Sequence, residues 1–150
     1  MRAGFSLIGT LALLSLAACA GEPAAPVVAA PPPADKTRLY IYRDAAIYGS
    51  HEWTAVSLNG MKIGDSAPGT VFYRDVAPGT YEVEVRSDSL YPDQFKTARF
   101  AAGSIIFARI EDYRGFGNSG FGVARTTFAV AIIDPAIAAN EIGQLRLVPG

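Results

Sequence analysis

Two side chains that could carry chemistry occur once each in this 150-residue sequence, the thiol of Cys19 and the imidazole of His51. A thiolate can act as a nucleophile, and an imidazole can transfer protons near neutral pH. One cysteine cannot form an internal disulfide, and one cysteine with one histidine are too few for a zinc site. We therefore expect no bound metal and no cofactor.

His51 lies in the tripeptide Ser50-His51-Glu52, which has the residue types of a hydrolytic triad. Neighbouring residues of a strand point to opposite faces, so this tripeptide cannot assemble a triad by itself. No serine carries the glycine pattern of a nucleophile elbow. We expect no catalytic residue and no enzymatic activity, and we keep a hydrolase that uses His51 as its base as the alternative.

Two pairs of carboxylates have simpler explanations than catalysis. Glu82 and Glu84 alternate with valines, as on the solvent-facing side of a half-buried strand. Glu111 and Asp112 end another predicted strand, where solvation of a loop accounts for them.

The glycine-rich stretch RGFGNSGFGVAR is the candidate binding loop. It lacks the Lys-Ser/Thr pair of a phosphate-binding loop and does not lead into a predicted helix. Phe116 and Phe121 stand among its glycines, with Arg114 and Arg125 at its two ends, so it could contact lipid headgroups, glycan or a partner protein. The simpler alternative, which we favour, is a long hairpin loop whose phenylalanines pack back onto the domain.

The amino terminus predicts export from the cytoplasm. Arg2 precedes the mostly apolar run GFSLIGTLALLSLAA at residues 4–18, which is too short to span a hydrocarbon core of about 30 Å as a helix. A basic start, an apolar middle and small residues at the end are typical of a secretory signal peptide. A buried core helix is the weaker alternative, because no charged face interrupts the run.

The residues Leu16-Ala17-Ala18-Cys19 resemble the lipobox of bacterial lipoproteins. The resemblance implies that residues 1–18 are removed and that Cys19 is acylated with fatty acids such as palmitate. Two or more chains anchor a protein stably, at about 0.8 kcal/mol per buried CH₂. Ala20 stands where lipoproteins retained in the inner membrane commonly carry Asp, so the resemblance implies the outer membrane, facing the periplasm.

Residues 19–36 hold five prolines among alanines, at positions 23, 26, 31, 32 and 33. We expect a disordered, semi-rigid tether that reaches up to ~50 Å, at about 3.1 Å per residue.

From Thr37 onward, short runs with a period of two predict strands separated by Gly and Pro turns. Asn59-Gly60 predicts a type I′ hairpin, and Pro78-Gly79 predicts a type II turn. Aromatic residues such as Trp53 fill cores more often than they line binding faces, and the same holds for Tyr40 and Tyr42.

The last third of the sequence predicts two strands around a short helix. TTFAVAIID is apolar on both faces near its end and predicts a central strand. Asp134-Pro135 predicts the start of a helical piece. GQLRLVP predicts an edge strand that Pro149 ends.

The segment from Arg38 to Leu147 resembles the domain-of-unknown-function family 2846 of bacterial envelope lipoproteins, in RLYIYR, VSLNGMKIG, YRDVAPGTYEVEV and LRLV. Its middle portion also resembles PEGA-type surface domains, which share the pattern NG…G…PG.Y.V.V. Both resemblances imply an envelope β domain, and neither carries over a functional residue.

Together these patterns predict an all-β fold for residues 37–150, a small antiparallel β-sandwich with one short C-terminal helical piece. The expected function is that of a membrane-anchored envelope lipoprotein whose sandwich is a non-catalytic binding or structural module in the periplasm. A net charge of −1 excludes the basic footprint of a nucleic-acid-binding protein. Because the expected location is the periplasm, the expected partner is an envelope protein or polymer. A module exposed at the cell surface is a further alternative.

Replacing Cys19→Ala should abolish membrane association, because the acyl chains would have no sulfur to attach to. Membrane fractionation and uptake of labelled palmitate measure this directly. A variant that still incorporates label and sediments with membranes would contradict the lipoprotein hypothesis.

Overall fold

The computed structural model describes residues 30–45, 51–87, 93–116 and 124–150. Cys19 and Phe121 lie outside these residues. The described chain forms nine strands and one helix: β1 (Thr37–Arg43), β2 (Thr54–Leu58), β3 (Met61–Ser66), β4 (Thr70–Val76), β5 (Gly79–Val85), β6 (Phe95–Phe100), β7 (Ile105–Phe116), β8 (Ala124–Ile133), α1 (Pro135–Ile142) and β9 (Arg146–Leu147).

The strands form two sheets, a five-stranded sheet in the order β8-β7-β1-β4-β9 and a four-stranded sheet in the order β3-β2-β5-β6. The predicted all-β sandwich with a short C-terminal helix is confirmed. The pairing is antiparallel except that β1 runs parallel to β7, and β4 runs parallel to β9. A parallel neighbour needs a long crossover, and the chain between β1 and β7 supplies it by forming β4 and all four strands of the other sheet.

The main core lies between the two sheets. In β5 the acidic side chains are exposed while Val83 and Val85 are buried, so the predicted alternation is confirmed. The other sheet contributes Leu39, Ile41 and Phe72 from its facing side. Burial of these side chains is the main favourable contribution to folding, at roughly 1.5–3 kcal/mol for each large one.

A second, smaller core lies on the outer face of the five-stranded sheet, under α1. Tyr40 and Tyr42 are buried there against Ala138 and Ile142, so the predicted packing of the two tyrosines is confirmed. Helix α1 begins as predicted, with the carboxylate of Asp134 accepting a hydrogen bond from the backbone N of Ala136 at 2.8 Å. Among the described residues, no helix has the length and apolar character needed to cross a membrane.

One predicted turn is confirmed and another is wrong. Asn59 and Gly60 have φ values of 47° and 77°, as a type I′ hairpin between β2 and β3 requires. Gly79 does not have the positive φ of a type II turn. It begins β5 and pairs with Phe100, because here the chain crosses from one sheet to the other and does not form a hairpin.

The strand β8 lies at a sheet edge, so its predicted central position is wrong. Its apolar character has another cause, because the connection between β5 and β6 covers this edge. The backbone N of Val130 donates to the carbonyl oxygen of Asp93 at 2.9 Å, and that of Phe128 donates to Ser87 Oγ at 3.3 Å. The predicted edge position of the last strand is confirmed in β9.

Replacing Val83→Asp should unfold the domain, since Val83 is 0% exposed and the new carboxylate would have no partner. The expected cost is several kcal/mol, against a typical total stability of roughly 5–15 kcal/mol. The matched control is Glu84→Ala on the exposed face of the same strand, which should change stability by less than about 0.5 kcal/mol. Thermal melts of the purified variants compare them, and equal losses would contradict the assignment of faces in β5.

Candidate functional site

The candidate site lies at the end of the sandwich where β1 finishes, which we call the Arg43 end. Both sheets contribute to it, and one hydrogen bond joins β1 to the segment before β2. Arg43 Nη1 donates to the carbonyl oxygen of Glu52 at 2.8 Å, and Thr54 Oγ1 donates to that of Arg86 at 2.6 Å. The segment that leads into β2 is therefore fixed to β1 on one side and to the end of β5 on the other.

Arg43 is a buried cation at the base of this end, with 1% of its surface exposed. Its Nη2 lies 3.0 Å from Asp112 Oδ2, and its guanidinium carbon lies 4.8 Å from the ring centroid of Phe128. A buried charge is tolerated only when it is paired and hydrogen-bonded. The pairing thus connects β1, β7 and β8 to the segment before β2.

The sequence prediction for Glu111 and Asp112 was wrong. These residues do not solvate a loop, because β7 continues as a strand to Phe116. Asp112 follows Ala108 and Ile110 on the inner face, and Arg43 follows Ile41 on the inner face of β1. Each of these two strands carries a charged residue at a position where the alternation predicts an inward-facing side chain. That pattern is the sequence signal from which the pair could have been predicted.

A depression of about 290 Å³ lies above this base. Its wall combines two aromatic side chains, one arginine, hydroxyl groups and a carboxylate, from Glu52, Trp53, Thr54, Ala55, Arg86, Ser87, Thr126 and Phe128. Trp53 is 70% exposed, so its predicted core packing is wrong. The inward positions of this segment belong to Thr54 and Val56, which leaves Trp53 on the outer side.

The predicted binding loop adjoins the depression at its base. The backbone of Arg114 and Phe116 belongs to β7 and that of Arg125 to β8, with Gly115 opposite Arg125 and Phe116 opposite Ala124. Thr126, the next residue of β8, lines the depression. Phe121 lies outside the described residues. Whether the two phenylalanines pack onto the domain or contact a partner therefore stays a prediction.

His51 is exposed and directly precedes the two residues that begin the wall of the depression. Ser50 lies outside the described residues, so the tripeptide is not described as a unit. Within the described parts of the chain, no three His, Cys, Asp or Glu side chains are grouped as metal ligands.

A polar cluster on the outer face of the same sheet attaches α1. Arg109 lies 2.7 Å from Glu111 and 2.8 Å from Glu141 of α1, and Tyr42 donates its hydroxyl to Glu141. Burial opposes ionisation of Glu111, but hydrogen bonds from Tyr113 and Arg109 outweigh it and hold the pKa of this carboxyl below its ordinary value. The same hydrogen bond, with burial, raises the pKa of Tyr113 to about 12. This cluster therefore positions the helix.

The family model described as "Protein of unknown function (DUF2846)" matches residues 33–121. The chain belongs to the DUF2846 family. The match begins at Pro33, whose carbonyl oxygen accepts a hydrogen bond from Lys36 N at 2.9 Å just before β1. It ends before β8, so the sandwich of this DUF2846 protein is completed by residues beyond the match, including LRLV.

The match confirms the resemblance to DUF2846 over residues 33–121, and the family description assigns no activity to any residue. No curated protein matches the chain. One feature quoted for the family has a clear structural reason, because a Cβ on Gly64 would lie 2.7 Å from the ring of Phe72. Gly64 of the matched segment thus serves the fold.

Replacing Asp112→Asn should cost roughly 3 kcal/mol of stability, because it leaves the buried guanidinium of Arg43 without its ion pair. The combined change Arg43→Met and Asp112→Leu should cost less, since both charges then disappear. The matched control is Asp65→Asn, which breaks the exposed pair between Lys62 and Asp65 (2.8 Å). That loss should be at most about 1 kcal/mol. Chemical denaturation measures all three, and equal losses for Asp112→Asn and Asp65→Asn would contradict the role of the Arg43 pair.

Proposed function

We propose that this chain is a lipid-anchored envelope lipoprotein whose β-sandwich is a non-catalytic module that binds a protein or polymer of the periplasm at the Arg43 end. The observation that carries the binding proposal is the 70% exposure of Trp53 beside the depression. The motif that carries the anchoring proposal is Leu16-Ala17-Ala18-Cys19.

Trp53 has the properties of an interface anchor. Its ring is large and apolar at one end and can donate a hydrogen bond at the other. Arg86, also exposed, lines the same depression. Tryptophan and arginine are the residue types enriched among those that dominate binding energy at interfaces.

The backbone around Trp53 is held before any partner arrives. The residue before it accepts a hydrogen bond from the buried Arg43, and the residue after it donates one to the end of β5. A contact that is already ordered loses less conformational entropy on binding. This supports a preformed recognition surface.

The entry point of the predicted tether supports the same arrangement. Residues 30–36 lead into β1 at Thr37, and the depression lies at the other end of that strand. A strand of this length spans about 20 Å. With Cys19 in the membrane, the tether therefore reaches the end of the sandwich that lies away from Trp53.

A photo-crosslinking amino acid in place of Trp53 should capture a specific envelope partner in intact cells. The matched control is the same amino acid in place of Met61, which is 74% exposed but lies at the opposite end of the sandwich. Arg86→Ala should weaken capture at position 53 without changing the melting temperature. Equal capture from both positions would contradict a binding site at the Arg43 end.

Two further variants separate binding from catalysis and test the predicted loop. His51→Ala should leave partner capture and the cellular role intact, because a non-catalytic module needs no proton transfer. Replacing Phe116 and Phe121 together by Ser distinguishes the two hypotheses for the loop. Weaker capture with an unchanged melting temperature would favour the binding loop, because exposed aromatic residues are frequent interface anchors, and a large loss of stability would favour phenylalanines packed onto the domain. Loss of the cellular role with His51→Ala alone would favour the hydrolase alternative.

A further inference from the structure

One strand of the five-stranded sheet keeps backbone groups without a neighbour on one side. In β4, the carbonyl oxygen of Val71 accepts a hydrogen bond from Val148 N at 2.9 Å, so Val71 faces β9. Successive residues of a strand direct their N–H and C=O groups to alternate sides. Tyr73 and Asp75 therefore direct theirs to the same side as Val71.

The strand β9 ends before it reaches these groups. It pairs only with Thr70 and Val71, and the last backbone hydrogen bond from this segment to β4 is the one from Val148 N. No backbone group of the described residues is hydrogen-bonded to Tyr73 or Asp75 on this side. The edge of β4 thus offers two N–H and two C=O groups in the spacing of a strand.

A groove of about 460 Å³ follows this edge, between Tyr73 and Arg74 on one side and residues 147–150 on the other. The guanidinium carbon of Arg74 lies 6.0 Å from the ring centroid of Phe72. Arg74 forms no ion pair with any described carboxylate, whereas Arg38 on the neighbouring strand β1 is paired with Asp75 at 2.7 Å. The groove therefore combines apolar walls with one arginine that has no ion-pair partner among the described residues and that packs against Gly150.

Both edge strands of the four-stranded sheet, β6 and β3, are obstructed. In β6, Lys96 shares the inward register of Val83 and pairs with Asp93 at 2.6 Å. The pairing of β3 with β2 is interrupted by a shift in register between Val56 and Ser57 of β2. Inward charges and bulges are devices that prevent a strand edge from pairing with another chain. The free edge of β4 has neither device.

We propose that the free edge of β4 at Tyr73 and Asp75 binds an extended peptide segment of another protein as an added strand, with an acidic side chain of that segment against Arg74. Main-chain hydrogen bonds supply affinity in this mode, and side-chain pockets supply specificity. The site is distinct from the Trp53 surface and does not depend on it. The carboxylate of Asp75 does not oppose an acidic ligand, because Arg38 neutralises it on the outer face.

The test uses the full chain in detergent micelles and the peptide acetyl-Thr-Val-Glu-Val-Thr-amide. Alternation places its Glu on the Arg74 face and its two Val residues on the Tyr73 face. In the free protein, the amides of Tyr73 and Asp75 should exchange with solvent faster than those of Phe72 and Arg74, which face β1. Added peptide should slow exchange at Tyr73 and Asp75, as measured by NMR.

Arg74→Gln should weaken the peptide about tenfold, the effect of losing one charge-assisted hydrogen bond. A peptide with Gln in place of Glu should bind the wild-type chain about tenfold more weakly than the original peptide does. The Arg74→Gln variant should bind the two peptides equally. The matched control is Arg99→Gln, an exposed arginine of β6 far from the groove, which should leave affinity unchanged.

A peptide methylated on the backbone nitrogens that face β4 should not bind, because it keeps the side chains and loses the strand pairing. If the methylated peptide binds as tightly as the unmodified one, the proposal is overturned. It is also overturned if the unmodified peptide, up to its solubility limit, does not slow amide exchange at Tyr73 and Asp75. Protection of these amides that grows with protein concentration alone would show that a second copy of the chain occupies the edge, and would also overturn it.

Discussion

Burial of β1 on both faces is the constraint on which the rest of the structure depends. All seven of its residues are buried. One face needs the four-stranded sheet as a cover and the other needs α1, so the fold has three layers at this point. Its two neighbours, β4 and β7, are recruited from distant parts of the chain to satisfy its backbone groups.

The strand carries an arginine near each end, and each arginine is compensated in the same way. Arg38 forms a two-point pair with Asp75, at 2.7 and 2.8 Å, and lies 4.3 Å above the ring of Tyr73. Arg43 pairs with Asp112 and lies over Phe128. Guanidinium groups suit this environment because they are weakly hydrated and combine planar hydrogen bonding with stacking on aromatic rings. The pairs also differ in position, since Arg38 points to the helix side and Arg43 to the sandwich core.

Features that depend on neighbouring residues could be predicted from the sequence. The alternation in β5, the Asn59-Gly60 turn and the Asp134 cap each depend on a few consecutive side chains. Features that depend on pairing across the fold could not. TTFAVAIID indicated a central strand because nothing local shows that the connection between β5 and β6 covers its edge. Gly79 indicated a turn because nothing local shows that the chain changes sheets there.

In the candidate site too, features that depend on neighbouring residues could be predicted from the sequence, and features that depend on pairing across the fold could not. Glycines and phenylalanines marked the end of the hairpin between β7 and β8, whereas Trp53 and the Arg43–Asp112 pair were missed. Trp53 is exposed only because Thr54 takes the inward position of β2, and the register of β2 is set by its pairing with β5. The family match covers the segment from β1 to β7, and its description names no activity.

The cover of β1 by α1 has a consequence for how the chain folds. Tyr42 meets Glu141 across 99 positions of sequence, and its strand pairs in parallel with β7. Folding dominated by such distant contacts is slow, because loop-closure entropy is lost before the contacts form. Until α1 docks, the outer face of β1 exposes an aromatic surface of the kind that aggregates. The outer face of β1 therefore stays uncovered until α1 (Pro135–Ile142) has been synthesised, and the tyrosine face is the surface that a chaperone would have to shield until then.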